Sequence, residues 1–343
     1  MLVADKGSVG EGYVRGSWEN VSRMAREGED VDGVQFLGSK GEIERAVGTG
    51  GGSGDWGYLN RRSGWADAEG GMRWLRKKVE ETGRVKFLQK EVQELVKEGE
   101  RVVGMKTTTG EVLNADLVIL ATGAWTGKLV NLNGIATATG QVLTYLDITA
   151  EEQERLGKMP VLLNMSTGLF IIPPVNQLLK VARHAYGYSN PVKIVDPDGS
   201  GQSISVSLPR TAVDEPGQWV PVEGEAACRQ ALREMIPSLA DRPFIKSRIC
   251  WYTDTPNGDF LITYHPTFSG LFLTTGGSGH GYKFLPVIGD RIVDVINGRC
   301  PEEFKEKWGW PKERVERVVT EDGSRGGRAG LMLDEEMRKG SRL

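Results

Sequence analysis

The chain has 343 residues, 39% hydrophobic and 26% charged, with a formal net charge of -3, so it can build two domains while offering no basic footprint for nucleic acid. No apolar run of about 18 residues would cross a membrane, and the start, MLVADKGSVGEGYVRGSW, lacks the basic and apolar blocks of a signal peptide. Cys228, Cys250 and Cys300 are too few and too scattered for a disulfide framework or a metal cluster, which suits a reducing compartment.

Residues 1–57 read as surface-like helical and loop material ending in the glycine run 48–57. A helix follows, with Ala68, Met72, Leu75 and Val79 at helical spacing and Gly83 as its stop. Residues 85–88 form a short predicted strand, and 92–96 pair with 102–106 across the turn 97–100. The apolar run 117–121 fits a strand buried on both faces, and 125–131 begin another helix. Strands are then expected at 141–146, 161–164, 169–172, 178–184 and 244–252, with helices near Ala150–Leu156 and 224–235. So few helices among so many strands predict a mostly antiparallel sheet. A last apolar strand, Leu271–Thr275, runs into GGSGHG and a helix over 287–296. From about Lys312 the chain is charged and glycine-rich, as a poorly ordered tail would be.

Gly52, Gly54 and Gly57 satisfy G-x-G-x-x-G, but the pattern binds a dinucleotide only where a strand delivers it to a helix N-terminus. Residues 42–47 look helical and 58–64 open no helix, so this segment is expected to be a flexible loop. The glycines after Leu271–Thr275 are better placed, since a strand followed by bare backbone lets a flat ligand approach; a tight strand–helix turn would use the same residues. Lys180 lies in a strand pattern where it can point inward with Leu178 and Ala182, and His184 falls on the same face. An inward lysine is costly unless paired or functional. Cys250, taken alone, is an ordinary core cysteine.

Five ordered blocks carry a resemblance: GYLNRRSGWADAEGGMRWL, ADLVILATGAWTGKL, LLKVARHAYGY, RICWYTDTPNGDFLI and LTTGGSGHGYKFLPVIGD. They resemble the sarcosine oxidase family of flavoproteins, in particular its fungal saccharopine/pipecolate and fructosyl amino acid (amadoriase) oxidases. The resemblance implies an α/β fold, α+β overall. A partial FAD-binding Rossmann-type domain would comprise 1–137 and 257–311, and an antiparallel substrate domain 138–256, with a flexible tail over 312–343. It implies FAD held covalently by Cys250, a thiolate being the soft nucleophile for that attack. Lys180 would stand at the flavin face and promote reaction with oxygen. Lys283 would bind the substrate carboxylate, and Gly276, Gly277, Gly279 and Gly281 would pack against the ring. Gly123 and Trp125 would border the cofactor, Val92 would contact adenine through its backbone, and Trp251 and Tyr252 would lie near the ring. The implied substrate is a small amino acid with oxygen as acceptor, handled by a monomer without nucleic acid, membrane or metal.

Two departures qualify this. Fructosyl amino acid oxidases carry a glutamate four residues after the oxygen-activating lysine; His184 stands there, which tilts the expected substrate toward secondary amino acids of the saccharopine, pipecolate or sarcosine kind. The family's opening strand, G-x-G-x-x-G and helix would precede Met1, so ~80–100 residues of the family pattern are expected to be missing and FAD to bind weakly or not at all, the alternative reading being a non-catalytic remnant. Finally, Ser341-Arg342-Leu343 varies the S-K-L tripeptide, predicting capture by the peroxisomal import receptor and a peroxisomal location, or else a cytoplasmic one.

Overall fold

The structure, a computed structural model, describes residues 1–28, 31–217 and 219–340. The first sixty residues hold β1 (Leu2–Ala4), α1 (Val9–Glu27), β2 (Val34–Leu37), α2 (Lys40–Val47) and β3 (Trp56–Asn60). Then come α3 (Ala68–Glu81), β4 (Val92–Glu98), β5 (Arg101–Thr107), β6 (Val112–Asn114), β7 (Val118–Leu120) and α4 (Thr126–Leu129). The central stretch contains β8 (Thr137–Asp147), α5 (Ala150–Leu156), β9 (Leu162–Asn164), β10 (Leu169–Ile171) and β11 (Leu178–Arg183). It continues through β12 (Tyr188–Ser189), β13 (Pro191–Val195), β14 (Ser203–Ser207), α6 (Val222–Met235) and β15 (Lys246–Asp254). The last elements are β16 (Leu261–Tyr264), β17 (Leu271–Thr275), α7 (Leu285–Ile296), α8 (Glu302–Trp308), β18 (Leu331–Met332) and α9 (Leu333–Gly340). Mixed α/β architecture with a largely antiparallel main sheet matches the expectation.

A ten-stranded sheet runs β18-β12-β8-β11-β10-β9-β1-β3-β2, with β15 also paired to β8. Its neighbours are antiparallel except β1 with β9 and β12 with β18. One face is sealed by α6, whose buried Gly224, Cys228, Ala231, Leu232 and Met235 form a helical stripe against Val142, Leu179 and Val181. A three-stranded sheet, β16-β17-β7, pairs β17 parallel to β7 and is lined by α7 and α8. A separate hairpin sheet, β4-β5-β6, confirms the predicted pairing, with register shifts at Val92/Glu94 and Val96/Lys97. No helix among the described residues is long and apolar enough to cross a membrane.

Several expectations are corrected. Residues 1–60, assigned to the cofactor domain, place β1, β2 and β3 in the large sheet, because Leu2–Ala4 bonds to β9 and β3 at once. The glycine run before β3 is not a flexible loop: Gly52 N–H donates to the Glu234 carbonyl, and a Cβ on Gly51 would meet that carbonyl oxygen. Gly57 lies in a strand and not at a helix start, so the decoy motif serves close packing. Residues 85–88 form no strand, and Val85, Phe87 and Leu88 are exposed. β7 is buried on one face only, Ile119 being 45% exposed. The segment 312–340 is not a loose tail, since β18 pairs with β12 and Thr320, Ser324, Arg325, Leu331, Leu333 and Glu336 are buried. Ser341, Arg342 and Leu343 lie outside the described residues.

Candidate active site

The site forms on the face of the large sheet opposite α6. In β11, alternation sends Leu179 and Val181 into the core and turns Lys180, Ala182 and the following His184 the other way. In β15 the same alternation packs Ile249 and Trp251 against the α6 side and presents Arg248, Cys250, Tyr252 and Asp254 on the open face. Lys180 and Cys250 are near enough to interact electrostatically, and burial, opposed by Cys250, holds the lysine below its usual pKa. The Lys180 Nζ also stands 5.7 Å over the Phe170 ring.

A cavity of about 650 Å³ opens beside this face, with His184, Tyr252, Gly279, His280, Lys283 and Arg325 on its polar side. An adjoining cleft of about 380 Å³ is bordered by Gly123, Ala124, Thr253, Gly277, Ser278 and Gly281. Tyr252 and Gly279 line both, and a Cβ on Gly279 would run into the Tyr252 ring. Gly276 and Gly279 take left-handed φ of 72° and 71°, while Ser278 between them is held at 45°. Ser278 tolerates that conformation because its buried hydroxyl donates to the Gly276 carbonyl at 3.0 Å.

Arg325, on the segment read as a tail, is the central charge. Its Nη2 donates to Asp254 Oδ1 at 2.8 Å and to the Ser278 carbonyl at 2.9 Å, and its Nη1 donates to His184 Nε2 at 2.6 Å. Both ion-pair side chains are sealed, at 2% and 4% exposure. Thr139 Oγ1 donates to the other Asp254 oxygen at 2.6 Å. Because a guanidinium only donates, His184 Nε2 must be the acceptor; its proton is on Nδ1, which faces the Tyr252 hydroxyl at 3.3 Å. Burial first, then the positive charge of Arg325, depresses the His184 pKa to about 3, so the ring is neutral. Burial likewise pushes the Tyr252 phenol well above its ordinary value. His280 donates Nε2–H to the Gly258 carbonyl at 2.8 Å, leaving its Nδ1 buried and without a partner among the described residues.

The predicted residues therefore divide. Lys180 with Cys250, His184 with Lys283, and Gly123, Gly277, Gly279 and Gly281 gather around one face and its two openings, although Lys180 and Cys250 themselves border neither opening. Val92 opens β4 in the hairpin sheet and borders neither, and Trp125 is 47% exposed away from the cleft. Sequence reasoning missed Arg325 and Asp254. The available signal was an arginine set between Gly323-Ser324 and the glycine pair Gly326-Gly327 in GSRGGR, where the glycines permit close approach: a Cβ on Gly326 would strike the Gly168 backbone.

The open backbone at Gly123 and Gly277, where a Cβ would meet nothing within 4 Å, leaves room for a flat ring between the cleft walls. The residues present thus fit the ring portion of a flavin. Comparison with known proteins agrees. The family described as DAO, FAD dependent oxidoreductase, matches residues 9–295. The amino acid oxidase imqH of Aspergillus flavus is 30% identical over 339 residues, covering 83% of this chain and 71% of that protein. The L-saccharopine oxidase of Schizosaccharomyces pombe is 29% identical over 266 residues, covering 74% and 60%. Among solved structures, the deglycating fructosamine oxidase (Amadoriase II) of Aspergillus fumigatus superposes with a TM-score of 0.75 at 30% identity, over 87% of this chain and 72% of that one. A match over that span, carried by a chain whose glycine-lined cleft fits a flavin ring, places the protein in the DAO family of FAD-dependent oxidoreductases.

Proposed function

We propose that this protein oxidises the C–N bond of a secondary amino acid, with oxygen as the final acceptor and hydrogen peroxide as co-product. The observation that carries the reading is the meeting of cavity and cleft at Tyr252 and Gly279, with Lys283 and Arg325 on one side and the Lys180–Cys250 pair on the same sheet face. Bound FAD would supply the two-electron acceptor for the C–H bond beside the amine nitrogen. Lys283, exposed in the short helical turn Gly281–Phe284, would take the substrate carboxylate, and Arg325, its Nη hydrogens taken by His184, Ser324, Asp254 and the Ser278 carbonyl, would hold His184 and Asp254 in place behind that end. Neutral His184 adds no positive charge that would repel the amine, so positioning carries the rate and no strong base is required. Lys180 would supply the fixed positive charge where oxygen becomes negative, and the Cys250 thiol would bond the cofactor.

The likeness to a fructosamine oxidase favours glycated amino acids as a second reading. Protein loaded with FAD should lose its visible flavin absorbance when mixed anaerobically with a secondary amino acid, and regain it with air. Lys180→Met should slow the regain far more than the loss, and Cys250→Ser should release flavin on acid precipitation. If sarcosine, pipecolate, saccharopine and fructosyl-glycine all leave the absorbance unchanged, the proposal fails.

A further inference from the structure

The cavity has a second, apolar side. Leu2 of β1 is in register with Leu163 of β9, Leu163 with Phe170 of β10, and Phe170 with Ala182 of β11. Residues in register across a sheet point to one face, so these four form a row beside Lys180 and His184. Leu2, Leu163 and Phe170 are only partly covered by protein, whereas Leu162, Ile171 and Leu179, on the opposite face, are sealed in the core. Val161, Met165 and Ile172 extend this apolar wall. Three large rings, Tyr13, Trp65 and Phe284, stand around the same cavity at 39%, 43% and 38% exposure.

Charge on the polar side is balanced. Lys283 and Arg325 line the cavity together with Asp259 and Asp322, while Asp254 already pairs with Arg325. One carboxylate can be received there, but there is no surplus of cations for a second or third. Against the apolar row, a carboxylate or a polyhydroxyl chain would lose water without gaining a partner. An aromatic ring would instead displace water from half-covered hydrocarbon and meet the rings around it.

We infer that the substrate is a monocarboxylic secondary amino acid whose nitrogen substituent or side chain is a large apolar, ring-bearing group, seated on the Leu2–Leu163–Phe170 row. This rests on reading the cavity as the amine site, and it separates that site from one made for a sugar or a polyacid. Thioether acids, which have no amine to oxidise, test it as pure binding probes. Calorimetry on the FAD-loaded protein would compare (methylthio)acetate, (benzylthio)acetate and the diacid thiodiglycolate. The benzyl probe should bind at least ~10-fold more tightly than the methyl probe, given the apolar area it buries, and the diacid should bind no better than the methyl probe. In Phe170→Ser, and independently in Leu163→Asn, the benzyl-to-methyl ratio should fall below about threefold. The ratio, unlike absolute affinity, does not move with a general loss of fold. If the diacid binds most tightly, or the ratio in the unaltered protein is near one, the inference is overturned while the amine-site reading stands. If none of the three binds, the amine-site reading falls and takes the inference with it.

Discussion

The two helix-covered sheets make an instructive pair. On the large sheet, α6 buries a full stripe of side chains, and Cys228, Ala231, Leu232 and Met235 are at 0% exposure. On the small sheet, α7 carries the same apolar spacing through Ile288, Ile292, Val295 and Ile296, yet none of its residues is fully buried, and Val287 and Val293 are 59% and 52% exposed. Periodicity states which face of a helix is apolar; it does not state how much of that face the rest of the chain covers. The residues with chemistry follow the same split. Lys180, His184, Cys250, Tyr252 and Asp254 stand on or directly after strands of the well-buttressed sheet, whose far face is locked by α6, while the small sheet leads into glycine backbone and, beyond it, His280 and Lys283.

The strongest way to break that contrast is at the ion pair the buttressed sheet supports. Asp254→Asn leaves the Arg325 guanidinium sealed and uncompensated, which should cost about 3–5 kcal/mol in urea unfolding. A loss below about 1 kcal/mol would mean the pair is far better hydrated than its burial implies. Next, Leu232→Ala on α6 should cost about 3 kcal/mol through cavity formation.

A third test uses acid. The folded pKa of His184, about 3, lies below the ordinary value of 6.5, so the unfolded chain takes up a proton that the folded one refuses. Stability from this group is therefore complete above about pH 6.5 and is lost as pH falls toward 3. Between pH 7 and pH 5 the loss should be about 2 kcal/mol, and His184→Gln should remove that part of the slope. Parallel melting-temperature profiles for the two proteins would deny His184 the role. The smallest effect belongs to α7: Val293→Ser should change stability by less than about 0.5 kcal/mol.

Much of this was legible beforehand. Ala150–Leu156 begins and Leu271–Thr275 ends where their patterns do, because Thr149 and Glu152 form a capping box and Gly276 takes a left-handed turn. The partnership of Lys180 and His184 on one face followed from the two-residue period of β11. What stayed hidden depends on contacts distant in the chain. Leu2–Ala4 has no strand signature of its own and becomes a strand only between β9 and β3. Glycines in GSRGG imitate a linker, yet Gly323 and Gly327 take φ of 80° and 75° and Gly326 lies against the Gly168 backbone, so they permit tight docking and not freedom. Composition cannot separate those two uses.

That docking also imposes a timetable. Arg325 meets His184 across 141 residues and Asp254 across 71, while the β10–β11 hairpin is joined by the short turn between Ile171 and Leu178. Contacts that close long loops form after those that close short ones. The β9–β10–β11 centre of the sheet can therefore pair while the charge beside it is still solvated, before β1 and β18, whose partners β9 and β12 are as distant in the chain as His184 is from Arg325, complete the sheet. In refolding, most of the far-ultraviolet dichroism change should precede protection of the Arg325 segment, with its β18 and α9, from proteolysis. Simultaneous arrival of the two signals would show that latch and sheet close as one step.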